Sequence, residues 1–148
     1  MATTVTTSDL VVTISETYSL NGVNYGNTSN KTYTSNGQVL QRIMSVSTSD
    51  PAIINFGAAD AAGQVAVADY KYFRITNLDD ANFLTLTLFN GTDSFFYKVA
   101  AGDSFVLMNN EMDAIASSTS FGAFADITQI KADSSDTTTD IELIIVTT

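Results

Sequence analysis

Apolar and polar positions alternate with a period of two along much of this chain, and no stretch of useful length repeats at the helical period. The pattern is cleanest over residues 10–20. Leu10, Val12, Ile14, Tyr18 and Leu20 share one face, Glu16 interrupts it, and Thr13, Ser15, Thr17 and Ser19 line the other. A half-buried strand is expected there. Asn21-Gly22 follows as a hairpin signal, because both residues tolerate the positive φ of a tight turn. A short return over 23–25 leads into a polar stretch, 26–37, in which only Tyr33 looks buried; it reads as a surface loop or a weak edge strand. Residues 39–48 form a second strand candidate, with Leu40, Met44 and Val46 on a face that Arg42 interrupts.

Further strands are expected at 52–56, 70–76, 83–90, 95–99, 104–108, 127–131 and 141–146. Asn77-Leu78-Asp79-Asp80-Ala81-Asn82 reads as a turn and Asn90-Gly91 as a second hairpin signal. Ala100-Ala101-Gly102-Asp103 reads as the bend of a glycine-turn hairpin, and the Ala-rich connection 57–63 is too short for a stable helix. This makes about eight to ten short strands at roughly 8- to 15-residue spacing, the signature of a β-sandwich or barrel. The expected fold is all-β, a jelly-roll-like sandwich of two four-stranded sheets, with an immunoglobulin-like sandwich as the alternative. Residues 1–9 are polar, Thr-rich and without periodicity; they read as an extended N-terminal arm on a single domain, 10–148. The last apolar run, 141–146, barely alternates, so a central strand covered on both faces is expected there.

Composition narrows the functions open to such a fold. The 148 residues include 21 Thr, 15 Ser and 11 Asn, with only 15% charged residues and a net charge of −10. That charge repels a nucleic-acid backbone and disfavours an anionic membrane surface, so neither is expected as a partner. No apolar run approaches the length of a membrane-spanning helix, and the N-terminus has no secretory pattern, so a soluble, unprocessed chain is expected. The chain has no Cys and no His. A thiol nucleophile, a Ser-His-Asp triad, a disulfide framework and a Cys/His zinc site are therefore impossible.

Thirteen of the sixteen acidic residues are Asp, and Asp79, Asp80, Asp93, Asp103, Asp133 and Asp136 fall in expected turns. Asn77, Asp79, Asp80 and Asn82 supply the hard oxygens that calcium takes, but not at the EF-hand spacing. Side chains bonding the local backbone explain them better, and no metal or other cofactor is expected. Glu16, within an apolar face, reads as a partly buried acid or equally as a residue near the strand end, in solvent, or opposite Arg42 or Arg74. A catalytic carboxylate pair is not expected, nor is an enzyme. Three Asn-x-Ser/Thr triplets, at Asn27, Asn30 and Asn90, arise by chance in a chain this rich in those residues. The six Tyr and nine Phe fall mostly within strands and read as core rather than as sugar-stacking platforms. Residues 108–124 carry Met108, Met112, Ile115, Phe121 and Phe124 without a strand or helix period, so this stretch either covers one end of the sandwich or docks on a neighbour.

The block YKYFRITNLDDANFLTLTLFNGTDSFFYKVAAGDSFVLMN, residues 70–109, resembles small structural proteins of marine tailed phages. The shared pattern is a strand-turn-strand, an aromatic strand, a Gly turn and a further strand. The resemblance implies a virion component, with capsid decoration (cement) protein as the natural role, the major capsid protein as partner and the capsid surface as location. It transfers no residue individually. The role implies a homo-oligomer, for which a trimer is the guess. The expected contacts are Thr3, Thr4 and Val5 in the arm and Met108, Met112, Ile115, Phe121 and Phe124 in the later stretch. A tail or fibre component that recognises a host carbohydrate is the alternative.

Overall fold

The computed structural model of the chain describes residues 6–58, 61, 64–109 and 127–148. The expected arm contacts Thr3, Thr4 and Val5, the later contacts Met112, Ile115, Phe121 and Phe124, and much of the 57–63 connection lie outside them.

The fold is all-β, two sheets packed as a sandwich with a two-stranded ribbon attached. The ribbon comprises β1 (Ser8–Ser15), β2 (Ser19–Leu20), β3 (Val23–Asn24) and β4 (Thr28–Asn36). The sandwich follows with β5 (Gln38–Ser47), β6 (Ala52–Gly57), β7 (Gln64–Ala66), a single 3₁₀ turn at Val67–Asp69, β8 (Tyr70–Asn77), β9 (Leu84–Phe89), β10 (Ser94–Val99), β11 (Ser104–Leu107), β12 (Gln129–Ser134) and β13 (Thr138–Thr147). These exceed the expected number because the polar stretch after Gly26 is strand and because β2, β3 and β7 are very short.

One sheet has the order β10-β9-β12-β6-β7 and the other β11-β8-β13-β5. Each sheet therefore joins early and late parts of the chain: β13 pairs antiparallel with β5 over its whole length, and β12 pairs with both β6 and β9. No neighbours in the four-stranded sheet are consecutive in the chain, unlike the A-B and E-D neighbours of an immunoglobulin sandwich. The Ala100–Asp103 turn corrects one expectation. Its Asp103 N–H donates to the Ala100 carbonyl at 3.0 Å and Gly102 takes a φ of +76°, but β10 and β11 belong to different sheets. It is a corner between layers rather than a hairpin bend.

The core is what period-two alternation requires. Leu84, Leu86 and Leu88 of β9, Ile130 and Ala132 of β12, and Ile54 and Phe56 of β6 share one buried cluster with Phe73 and Ile75 of β8, Ile141, Leu143 and Ile145 of β13, and Val46 of β5. β13 is central, as its unbroken apolar run suggested, and Val146 on its outer side is covered as well.

The ribbon departs from expectation. Its pairing keeps one register from Leu10↔Tyr33 through Ile14↔Ser29 to Leu20↔Val23. Backbone hydrogen bonds between Glu16 and Asn27 and from Tyr25 N–H to Tyr18 bridge the intervals between its named strands. At the tip, Asn21 and Gly22 take φ of +51° and +80°, as a type I′ turn requires. The arm reading also shortens, since Ser8 and Asp9 already belong to β1. Leu10, Val12 and Tyr33 pack with Tyr72, Ile144, Val146 and Met108 on the outer side of the four-stranded sheet. Beyond Val12 the expected burial fails: Ile14, Tyr18, Leu20, Val23 and Tyr25 are all exposed.

Candidate functional site

The register places every large apolar side chain of the ribbon except Val11 on one face. Leu10/Tyr33, Val12/Lys31, Ile14/Ser29, Glu16/Asn27, Tyr18/Tyr25 and Leu20/Val23 are cross-strand pairs on that face, and Thr, Ser and Asn dominate the other. The Tyr18 and Tyr25 rings touch, with centroids 6.0 Å apart, although neither is covered. From Thr13 to Asn21 the ribbon extends about 25 Å at roughly 3.3 Å per residue. An isolated two-stranded ribbon is marginal in water, and this one presents its apolar face uncovered over that length. Within 13–30 its only charged residue is Glu16.

A second open feature lies along one side of the sandwich. β5 and β7 are the terminal strands of their sheets there, and between them runs a groove of about 670 Å³. Val39, Leu40, Ile53, Val65 and Ile145 contribute its apolar wall, and among the described residues Arg42 is the one charged side chain lining it. Pairing with β13 explains Arg42: its register partner is Leu143, so it shares the inward face with Leu40 and Met44 but emerges at the open side. Its Nε and Nη2 donate to the Met44 sulfur at 3.2 and 2.8 Å, a weak acceptor for a full charge. On the outer face of the same strand Ile43 is 69% exposed.

The opposite side of the sandwich ends in β10 and β11. Phe95 and Tyr97 point towards the other sheet, and Tyr97 lies 5.0 Å from the Phe105 ring, yet both are more than two-fifths exposed because β10 is terminal. Phe96, on the other face, is 65% exposed. Expecting these aromatics to be core therefore fails at this edge.

Of the sequence-derived contact residues, the described Met108 is half-buried on Tyr33, Tyr72 and Val146. Its carbonyl accepts the Tyr33 hydroxyl at 2.5 Å, and the preceding Leu107 carbonyl accepts the Tyr70 hydroxyl at 2.7 Å. Ribbon and core thus hold consecutive carbonyls at the end of β11. Burial pushes the Tyr33, Tyr70 and Tyr72 phenols above their ordinary range, Tyr70 furthest.

The acidic candidates resolve into turn chemistry and one ion pair. Asp79 Oδ1 accepts the N–H of Ala81 and Asn82 at 2.8 and 2.7 Å, and these bonds hold its carboxyl below the usual carboxylate range. Asn77 is buried in the same turn, donating to the Asn82 and Val99 carbonyls. Among the described residues no group of three or more acidic side chains converges on a metal position. Of the readings open to Glu16 the solvent one holds: it is exposed on the ribbon, and Arg74 pairs instead with Glu142 at 2.5 Å. That pair was hidden in the sequence because Arg74 and Glu142 come together only through the β8–β13 pairing, as diagonal neighbours: Arg74 lies opposite Ile144 and Glu142 opposite Thr76.

No protein-family model, no curated protein and no solved structure matches this chain.

Proposed function

We propose that the chain is a virion structural protein, a capsid decoration (cement) protein that binds a shell of major capsid protein at its surface and stabilises it. The observation that supports this most is the uncovered apolar face of the ribbon, carried on a well-packed sandwich. A face of that kind is at home inside an assembly, where neighbours remove it from water. The nested strand order, with β5 beside β13 and β6 beside β12, supports a jelly-roll-like reading, an architecture found in viral capsid domains. The proposed role is mechanical: modest contacts repeated over a symmetric shell hold neighbouring subunits together through effective concentration. The net charge of −10 favours solubility of the subunits before they dock on the shell.

A second reading, a tail or fibre module that binds a host carbohydrate, is supported by the Phe95, Tyr97 and Phe105 edge, an exposed aromatic group of the kind sugars stack on. Cryo-electron microscopy of the particle that carries the chain separates the two. Copies repeated across the outer capsid lattice are the expected result. Copies confined to the tail or fibres would replace the first reading with the second, and absence from the particle would remove both.

A further inference from the structure

Ribbon and groove are both open in one molecule, and each has what the other lacks. The ribbon offers an apolar face with a single carboxylate, Glu16; the groove offers an apolar wall on which, among the described residues, Arg42 is the one charged group. Their spacings agree as well. Along the ribbon face Glu16, Tyr18 and Leu20 succeed one another at every second residue, and along the groove face of β5 so do Arg42, Leu40 and Gln38. β5 is a terminal strand, so its outer backbone edge can take a further strand, a recurrent mode of recognition.

We propose that the ribbon of one copy docks on the β5 edge of a second copy, residues 16–20 running antiparallel to 38–42 with Glu16 against Arg42 and Tyr18 against Leu40. The contact joins two different surfaces of the same chain, so it is heterologous: it closes into a ring where the rotation permits and otherwise propagates. It would take Tyr18, Leu20, Val23 and Tyr25 out of water and give Arg42 a carboxylate in place of a thioether. The inference deepens the assembly reading above by naming one partner as a second copy. It is tested on the purified chain with no particle present, so its failure leaves capsid binding open, and its success does not depend on capsid binding.

The chain has no cysteine, which makes cross-linking clean. Tyr18→Cys and Leu40→Cys chains, prepared separately and mixed under mild oxidation, are expected to give mostly the mixed disulfide. A Ser94→Cys chain in place of Leu40→Cys is expected to give only background. By native mass spectrometry the unmodified chain is expected at multiples of 15.8 kDa. Glu16→Arg or Arg42→Glu alone is expected to weaken association about tenfold, and the two reversals together to restore it. All these positions are exposed, and circular dichroism checks that each variant keeps its fold. A chain that stays monomeric, cross-linking no better than the Ser94 control, or charge reversals without mutual rescue would overturn the proposal. In the monomeric case the ribbon's occupant is a different protein, and binding of the chain to empty shells becomes the next measurement.

Discussion

Strand β9 and the outer ribbon are written in nearly the same pattern and meet opposite fates. In β9, Leu84, Leu86 and Leu88 alternate with Thr85 and Thr87, and all three leucines are fully buried. In the ribbon, Ile14, Tyr18 and Leu20 alternate with Ser15, Thr17 and Ser19, and about half of each apolar side chain remains in water. The difference lies in neighbours. β9 sits between β10 and β12 with a second sheet beneath it, whereas the ribbon has two strands and, among the described residues, is covered only at its base. Alternation therefore declares which face is apolar, while tertiary contacts decide whether that face belongs to a core or to an interface.

Truncating matched leucines tests that contrast most strongly. Leu86→Ala removes a fully packed side chain and is expected to cost about 2–5 kcal/mol in urea unfolding. Leu20→Ala, measured on dilute chains, is expected to cost about 0.5 kcal/mol or less. Equal losses would mean that the ribbon is covered after all. Tyr70→Phe sharpens the comparison at the point where core and ribbon meet. It leaves the Leu107 carbonyl without its hydroxyl partner and is expected to cost about 1–3 kcal/mol. Burial raises the Tyr70 pKa in the folded state above the unfolded value near 10. The stability held by the neutral phenol is therefore complete below about pH 10 and falls as pH rises further, because the unfolded chain gives up its proton first. Unfolding curves from pH 9 to 11 should show a shallower alkaline loss in Tyr70→Phe than in the parent.

The Arg74–Glu142 pair is partly exposed, so Glu142→Gln is expected to cost about 1 kcal/mol or less, and less again in high salt. The smallest effect is expected at Asp79. Its folded pKa is depressed, so its contribution is present above the unfolded value near 3.9 and is lost as pH falls through the folded value. Asp79→Asn keeps an acceptor for the Ala81 and Asn82 amides and should flatten the acid limb of the stability curve, read by urea midpoints from pH 5 to 2. An unchanged limb would exclude Asp79 as a contributor to acid sensitivity.

Local signals were legible, and long-range partnerships were not. Asn21-Gly22 marks its turn because few residues tolerate two successive positive φ. Asn90-Gly91 marks its own through Gly91 at a φ of +103° and the Asn90 side chain, which accepts the Thr92 and Asp93 N–H. The strand over 84–89 follows from strict alternation. From sequence alone β4 stands between a surface loop and a weak edge strand, because Thr28–Asn36 is almost wholly polar; its strand character comes from pairing with β1, which no periodicity announces. The Ala100–Asp103 corner looked like a hairpin because a tight turn has the same chemistry whether or not its arms pair. The groove was invisible for the same reason as the Arg74–Glu142 pair: both depend on strands far apart in sequence lying side by side. Arg42 alone left a trace, as a charge on an otherwise apolar face.

The pairing of β13 with β5 also sets an order in time. Every rung of that ladder closes a loop of about a hundred residues, and β13 is at once an inner strand of its sheet and later in the chain than the strands it joins. A nascent chain interrupted before Thr138 has β5 and β8 with nothing between them, so the four-stranded layer cannot form. Contacts this remote make folding slow and leave strand edges bare in the meantime. In return, commitment of this layer to the folded state waits until β13 has been made, and chains terminated before it exclude themselves from whatever the folded molecule builds.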